Sequence, residues 1–185
     1  MNKIIKRTRQ LWRALTAKMT AADHALVSRF LNKTEQNLFF QMDVAIQKHC
    51  VNVAYTLEEL LAGQANTRAG SPGPDTTLLI KAALLHDIGK ITGRFTVLDR
   101  IWYVLVRKVS HRLARRIAKE GRGGWLTRLR NAFYIHVHHG ELGSDLARQN
   151  GFTDKLIMLI RLHHDQERPD DSLELKLLRR ADELN

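Results

Sequence analysis

Apolar residues recur along this chain at intervals of three and four, and no convincing run alternates with period two. That spacing is the mark of helices that bury one face. Residues 3–18 read as a short basic amphipathic stretch, and residues 23–31 and 34–42 continue the helical spacing. Asp43 is placed to cap a long helix running to about Leu61, with Ile46, Cys50, Val53, Leu57 and Leu60 on one stripe. The string AGQANTRAGSPGPD has the composition of a loop, and Asp75 at its end can cap a helix through LLIKAALLHD. Residues 97–118 set Leu98, Trp102, Leu105, Val109 and Leu113 on one face, with Arg100, Arg107, Lys108, His111 and Arg115 opposite, and the EGRGG run ends that helix. Further helices are expected over 126–138, 141–149, 154–164 and 173–184, with Gly151 closing one and Thr153 and Ser172 capping the next two. The expected fold class is all-α.

A chain of 185 residues is long enough for one ordinary domain with a real core. Its single cysteine, Cys50, excludes an intramolecular disulfide framework and suits a reducing compartment. Cys50 falls among apolar residues at helical spacing, so it reads as a buried structural thiol. The basic N-terminus has no continuous apolar core or cleavage site, and no stretch approaches the roughly 18 apolar residues of a membrane span. A cytoplasmic location is therefore expected. The net charge of +11 is unevenly placed. Residues 1–20 hold six basic and no acidic residues, and residues 94–130 hold eleven basic residues against Asp99 and Glu120. The remainder is mildly acidic. The expected organisation is a basic N-terminal helical extension over 1–42 and a main domain over 43–185 with a basic amphipathic insert at 94–130.

The chemistry gathers in nine histidines and a few carboxylates. His49 lies beside the apolar stripe of the long helix, where a lone histidine reads as a core or boundary residue. His86-Asp87 ends the otherwise apolar AALLHD. An imidazole and a carboxylate buried there must be paired or bind a metal, and a hydrogen-bonded helix-ending pair explains them equally well. His136, His138 and His139 cluster in IHVHHGELG, His163-His164 ends LIMLIRLHH, and Asp182 falls on the last helix in LLRRADEL. Neutral imidazole and carboxylate suit zinc, iron, manganese and related ions. Apolar helices that each deliver one such residue are what a metal site inside a bundle requires. Lys90, one turn after His86, is placed to touch a phosphate oxygen or to sit exposed at a helix C-terminus. His24, His111 and His136 read as ordinary surface or packing residues, and either His138 or His139 faces the site.

The order His, then His-Asp, then a distant Asp resembles the HD superfamily, mapped here onto His49, His86-Asp87 and Asp182. HDIGK at 86–90 is close to the form found in HD-GYP phosphodiesterases. Those families also carry an H-P-x-x-G motif, whose place His139 takes in HHGELG, with Gly140 where proline is common. A histidine pair at a helix end follows, matched by His163-His164. The segment NGFTDKLIMLIRLHH and the late ADEL are similar to small bacterial HD enzymes that split diadenosine tetraphosphate. The likeness runs from about residue 43 to 185. The GYP tripeptide is absent after His164, where DQERPDD stands, so the likeness does not carry cyclic-di-GMP cleavage with it. What it implies is an HD-domain helical bundle and a metal-dependent phosphohydrolase acting on a nucleotide or other small phosphate ester. His49, His86, Asp87 and Asp182 would hold one divalent ion (iron, manganese or zinc). His139, His163 and His164 would hold a second, with Asp87 bridging and a metal-activated water as nucleophile. A non-catalytic HD signalling or binding module is the alternative.

The basic segments admit several partners. The 97–118 helix can pack its stripe and solvate its charges. With residues 1–18 it can also make peripheral contact with an anionic membrane, or it can attract a phosphate-rich ligand. Nucleic acid stays open, without a recognised binding motif.

Overall fold

The computed structural model describes residues 17–65, 73–93, 117–118 and 127–185. The basic stretches expected at 3–18 and 97–118 fall almost wholly outside the described residues, and with them the contacts expected of those helices. Among the described residues there are seven α-helices and no strand. They are α1 (Ala21–Phe30), α2 (Lys33–Gln41), α3 (Val44–Ala65), α4 (Thr76–Leu85), α5 (Thr127–Gln149), α6 (Asp154–Leu162) and α7 (Leu173–Leu184), with a 3₁₀ turn at Ile88–Thr92 between α4 and α5. No described helix is long and apolar enough to cross a membrane.

The centre of the bundle is α4. Its sequence is apolar nearly all round, and a helix of that kind must be surrounded. Leu79, Ile80, Ala82, Ala83, Leu84 and Leu85 are fully buried, and α3, α6, α7, α1 and α2 pack around them. The predicted stripe of α3 faces this core: Ile46, Cys50, Val53 and Leu57 are buried and Leu60 packs against them. From α1, α2 and their flanks, Leu26, Val27, Leu31, Leu38, Phe39 and Met42 join the same cluster.

The first two helices start with reciprocal caps. Thr20 accepts from the Asp23 amide while Asp23 accepts from the Thr20 amide, and Asn32 and Glu35 do the same. The two acids are also buried, so each needs a cation. Lys48 of α3 reaches Asp23 at 2.7 Å, and Lys81 of α4 reaches Glu35 at 2.7 Å. Each cap therefore doubles as a bolt between a peripheral helix and a central one. Asp75 and Ser172 cap α4 and α7 as predicted. Thr153 has the extended backbone of an N-cap but makes no side-chain cap bond.

Two boundaries differ from the sequence expectation. Helix α3 runs on to Ala65, through the first residues of the string that reads as loop. The helices expected at 126–138 and 141–149 are one, α5, with Gly140 inside it. At the end of α5 the expected Gly151 does stop the helix, at φ 72°, with Phe152 N donating to Ala147 O at 3.0 Å.

Gly140 is small because α6 crosses there. A Cβ on Gly140 would stand 2.7 Å from Arg161 O, and one on Gly143 would meet Gly89 N at 3.1 Å. The approach is closest at Gly89 in the 3₁₀ turn, where a Cβ would lie 2.0 Å from His139 O and 2.6 Å from Gly143 N. The turn that follows His86-Asp87 is thus pressed backbone to backbone against α5, and α5 against α6. Gly89→Ala should destabilise the fold by roughly 1–3 kcal/mol or more, since neither clashing group is a movable side-chain end. Gly63→Ala, on α3 with nothing among the described residues within 4 Å, should instead stabilise by about 0.5–1 kcal/mol through helix propensity. Thermal melts of the two variants check this pair, and equal melting temperatures would refute the close packing.

Candidate metal centre

Six parts of the chain deliver side chains to one place. His49 comes from α3, and His86 caps the C-terminus of α4 with Asp87 beside it. Lys90 lies in the 3₁₀ turn, His139 in α5, His163 at the C-cap of α6 with His164 next, and Asp182 in the last turn of α7. His49 Nε2 lies 2.9 Å from Asp182 Oδ1, and His86 Nε2 lies 3.8 Å from that same oxygen. His86 Nε2 is 3.7 Å from Asp87 Oδ2, and His139 Nε2 is 3.3 Å from Asp87 Oδ1. His139 Nε2 and His163 Nε2 face each other at 3.2 Å. The His164 ring stands 4.7 Å from that of His139 and 4.2 Å from that of His163.

These groups fall into two neighbouring sets, each with ligand atoms mutually within 4.8 Å. One is His49, His86 and Asp182; the other is Asp87, His139, His163 and His164. All eight residues singled out in the sequence meet here. His139 is the member of the 138–139 pair that points inward. His138 turns out to Glu141, with Nδ1 at 2.9 Å from Oε2, and lies against Tyr134. His24 stacks on Phe40 and belongs to neither set.

The proton positions of three rings follow from the backbone. Nδ1 of His86 lies 2.8 Å from Ala83 O, Nδ1 of His139 lies 3.0 Å from His136 O, and Nδ1 of His163 lies 2.7 Å from Ile160 O. A carbonyl oxygen only accepts, so each Nδ1 carries the proton and donates it. In the neutral ring this leaves Nε2 as a bare lone pair aimed into the site. Burial pushes the His139 and His163 imidazoles well below their ordinary range, helped by Lys90 beside the first and His164 beside the second. Both rings are therefore neutral, and two lone pairs confront each other with no hydrogen between them.

The carboxylates complete the set. Burial alone would raise the Asp87 carboxyl, but Lys90 and the facing His86, His139 and His49 hold it well below the usual carboxylate range. Burial likewise works against Asp182, and the hydrogen bond with His49 and the nearness of His86 outweigh it, so Asp182 too is ionised. His86 Nε2 and Asp87 Oδ1 are buried without a hydrogen-bond partner among the described residues. Buried polar atoms rarely stay unsatisfied. Convergent imidazole lone pairs and carboxylate oxygens are the donor set that a divalent transition metal takes, so the residues fit such an ion.

Two contributions were not visible in the sequence. Cys50 is buried with its sulfur near His86 and Asp87, and burial, then the Asp87 charge, raises its thiol well above the ordinary value. Arg179 braces the end of α6: Nη2 donates to Leu162 O at 2.8 Å while Nη1 pairs with Asp171. This ties the turn carrying His163-His164 to the helix carrying Asp182. The only sequence signal for Arg179 is its place one turn before Asp182.

The HD domain family model matches residues 46–185, three-quarters of the chain and the whole of the site described above. The chain belongs to the HD domain family, whose domains are of the metal-dependent phosphohydrolase type. Neither a curated protein nor a solved structure gave a match.

The tautomer assignment is directly testable. Long-range ¹H–¹⁵N spectra of the metal-free protein at neutral pH should show the Nδ1–H form for His86, His139 and His163. An Nε2–H form in any of them would contradict the account of how that ring is held.

Proposed function

We propose that this chain is a metal-dependent phosphohydrolase that cleaves a nucleotide or another small phosphate ester. The observation that carries the proposal is the confrontation of His139 Nε2 and His163 Nε2 at 3.2 Å, beside Asp87 Oδ1 and His86 Nε2, which have no hydrogen-bond partner among the described residues. Bare donors so arranged are stabilised by a cation and by little else. A divalent ion of iron, manganese or zinc would supply Lewis-acid charge for phosphoryl oxygens and an acidified water at neutral pH.

The protein's own groups have distinct parts in this reading. His49, His86, Asp87 and Asp182 are the ligands of one cation position, and Asp87, His139, His163 and His164 those of a second. Asp87 turns one oxygen to each set and thereby fixes their separation. His49 and Asp182 keep partly exposed side chains, at 31% and 15%, and His164 in the other set is exposed, so a substrate can reach both sets. A polar hollow of about 520 Å³, lined by Lys18, Lys48, Asn52, Tyr55, Thr56 and Asn185, opens one turn along α3 from His49. It offers amide, hydroxyl and ammonium groups to the part of a substrate that is not cleaved. A reducing, cytoplasmic setting suits the free buried thiol of Cys50. Contact of the two basic segments with an anionic membrane surface belongs to the same proposal and is read from charge alone.

The test is turnover of a panel of nucleotides and an aryl phosphate with Mn²⁺, Fe²⁺ or Zn²⁺ supplied. Phosphate release is expected, and it should fall by roughly 10²–10³-fold or more in Asp87→Asn and Asp87→Ala, because the lost group is a charge in a water-poor site. Circular dichroism should show the helices intact in both. Absence of turnover with every metal would favour the non-catalytic module. Undiminished turnover in the Asp87 variants would place the active site elsewhere.

A further inference from the structure

The two oxygens of Asp87 have different surroundings. Oδ1 faces His139 Nε2 at 3.3 Å and has no hydrogen-bond partner among the described residues. Oδ2 lies 3.7 Å from His86 Nε2 and already receives the Lys90 ammonium at 2.5 Å. Lys90 stands three residues beyond Asp87, and the three-residue repeat of a 3₁₀ turn puts the two on one face. The turn itself is pinned, since Gly89 within it abuts the backbone of α5. The Lys90 side chain is 16% exposed, so the ammonium has a route to solvent. One set of donors is thus bare, and the other has its bridging oxygen taken by a monocation.

We propose that Lys90 is a built-in competitor for the cation position formed by His49, His86, Asp182 and Asp87 Oδ2, so that the two positions load in order. The inference rests on the metal-centre reading above. The set of Asp87, His139, His163 and His164 fills first, because nothing has to leave Oδ1. The other set fills only as Lys90 leaves Oδ2, because an ammonium and a divalent ion on one carboxylate oxygen repel strongly where water is scarce. The weaker of the two affinities is therefore set by Lys90, and the displaced ammonium becomes available to an anion only when both positions are filled.

The measurement is Mn²⁺ binding to chelator-stripped full-length protein, followed by the electron paramagnetic resonance of the free ion, so that activity plays no part. The parent should show a tight and a weak class. His139→Ala should remove the tight class and His49→Ala the weak one. Lys90→Met should tighten the weak class by about tenfold or more and leave the tight class within about threefold, whereas Lys90→Arg should keep the weak class weak. Lys90→Gln serves as a second neutral variant, with melting curves showing that each is folded. An unchanged or weakened weak class in both folded neutral variants would overturn the inference, as would two equal affinities in the parent. A parent that binds no Mn²⁺, Co²⁺ or Zn²⁺ at all would bring down the metal-centre reading itself.

Discussion

The carboxylate of Asp87 is charged, almost wholly buried and surrounded by imidazoles that turn lone pairs toward it. An anion in that position is stable only while cations stand close to it. Among the described residues, Lys90 meets one oxygen, and the other faces His139 Nε2 without a hydrogen-bond partner. The bundle is arranged around that local imbalance. Helix α4 carries Asp87 inward on fully buried leucines and alanines, and α3, α5, α6 and α7 each present a ligand-type side chain to it.

Holding so many polar groups in one place requires a stiff frame, and the frame is built from short-range devices. Three histidines are fixed by donating to a carbonyl three residues earlier on their own helix, which sets ring orientation and tautomer together. The glycines at 89, 140 and 143 let the 3₁₀ turn, α5 and α6 approach to backbone contact, which brings His139 within reach of Asp87. Arg179 ties the His163-His164 turn to α7. At the periphery the pairs Asp23–Lys48 and Glu35–Lys81 bolt α1 and α2 to α3 and α4. Solvent reaches the site at His49, Asp182, Lys90 and the exposed His164.

Much of this was legible in the sequence, for reasons that can be named. The stripe of α3, the caps at Asp75 and Ser172 and the stop at Gly151 are local rules acting on local residues, and the structure follows them. The meeting of His49 with Asp182 is different. No periodicity links residues so far apart, and only the likeness to HD domains joined them beforehand. The break expected between 138 and 141 is absent because Gly140 sits inside one continuous helix, where its small size serves the crossing of α6. The choice between His138 and His139 also waited on packing, since neighbouring helical positions face different ways and either could have pointed inward. The Arg179 brace and the carbonyl partners of the three rings depend on tertiary geometry and left no pattern to read.

The central claim is that the bare nitrogens and the free Asp87 oxygen are cation ligands. A crystal structure of the metal-loaded protein, with anomalous scattering measured on both sides of the metal's absorption edge, tests it most directly. The account predicts an anomalous peak at roughly 2.0–2.3 Å from His139 Nε2, His163 Nε2 and Asp87 Oδ1. Loaded protein with no anomalous peak there, and with water hydrogen-bonded to those three atoms instead, would contradict it.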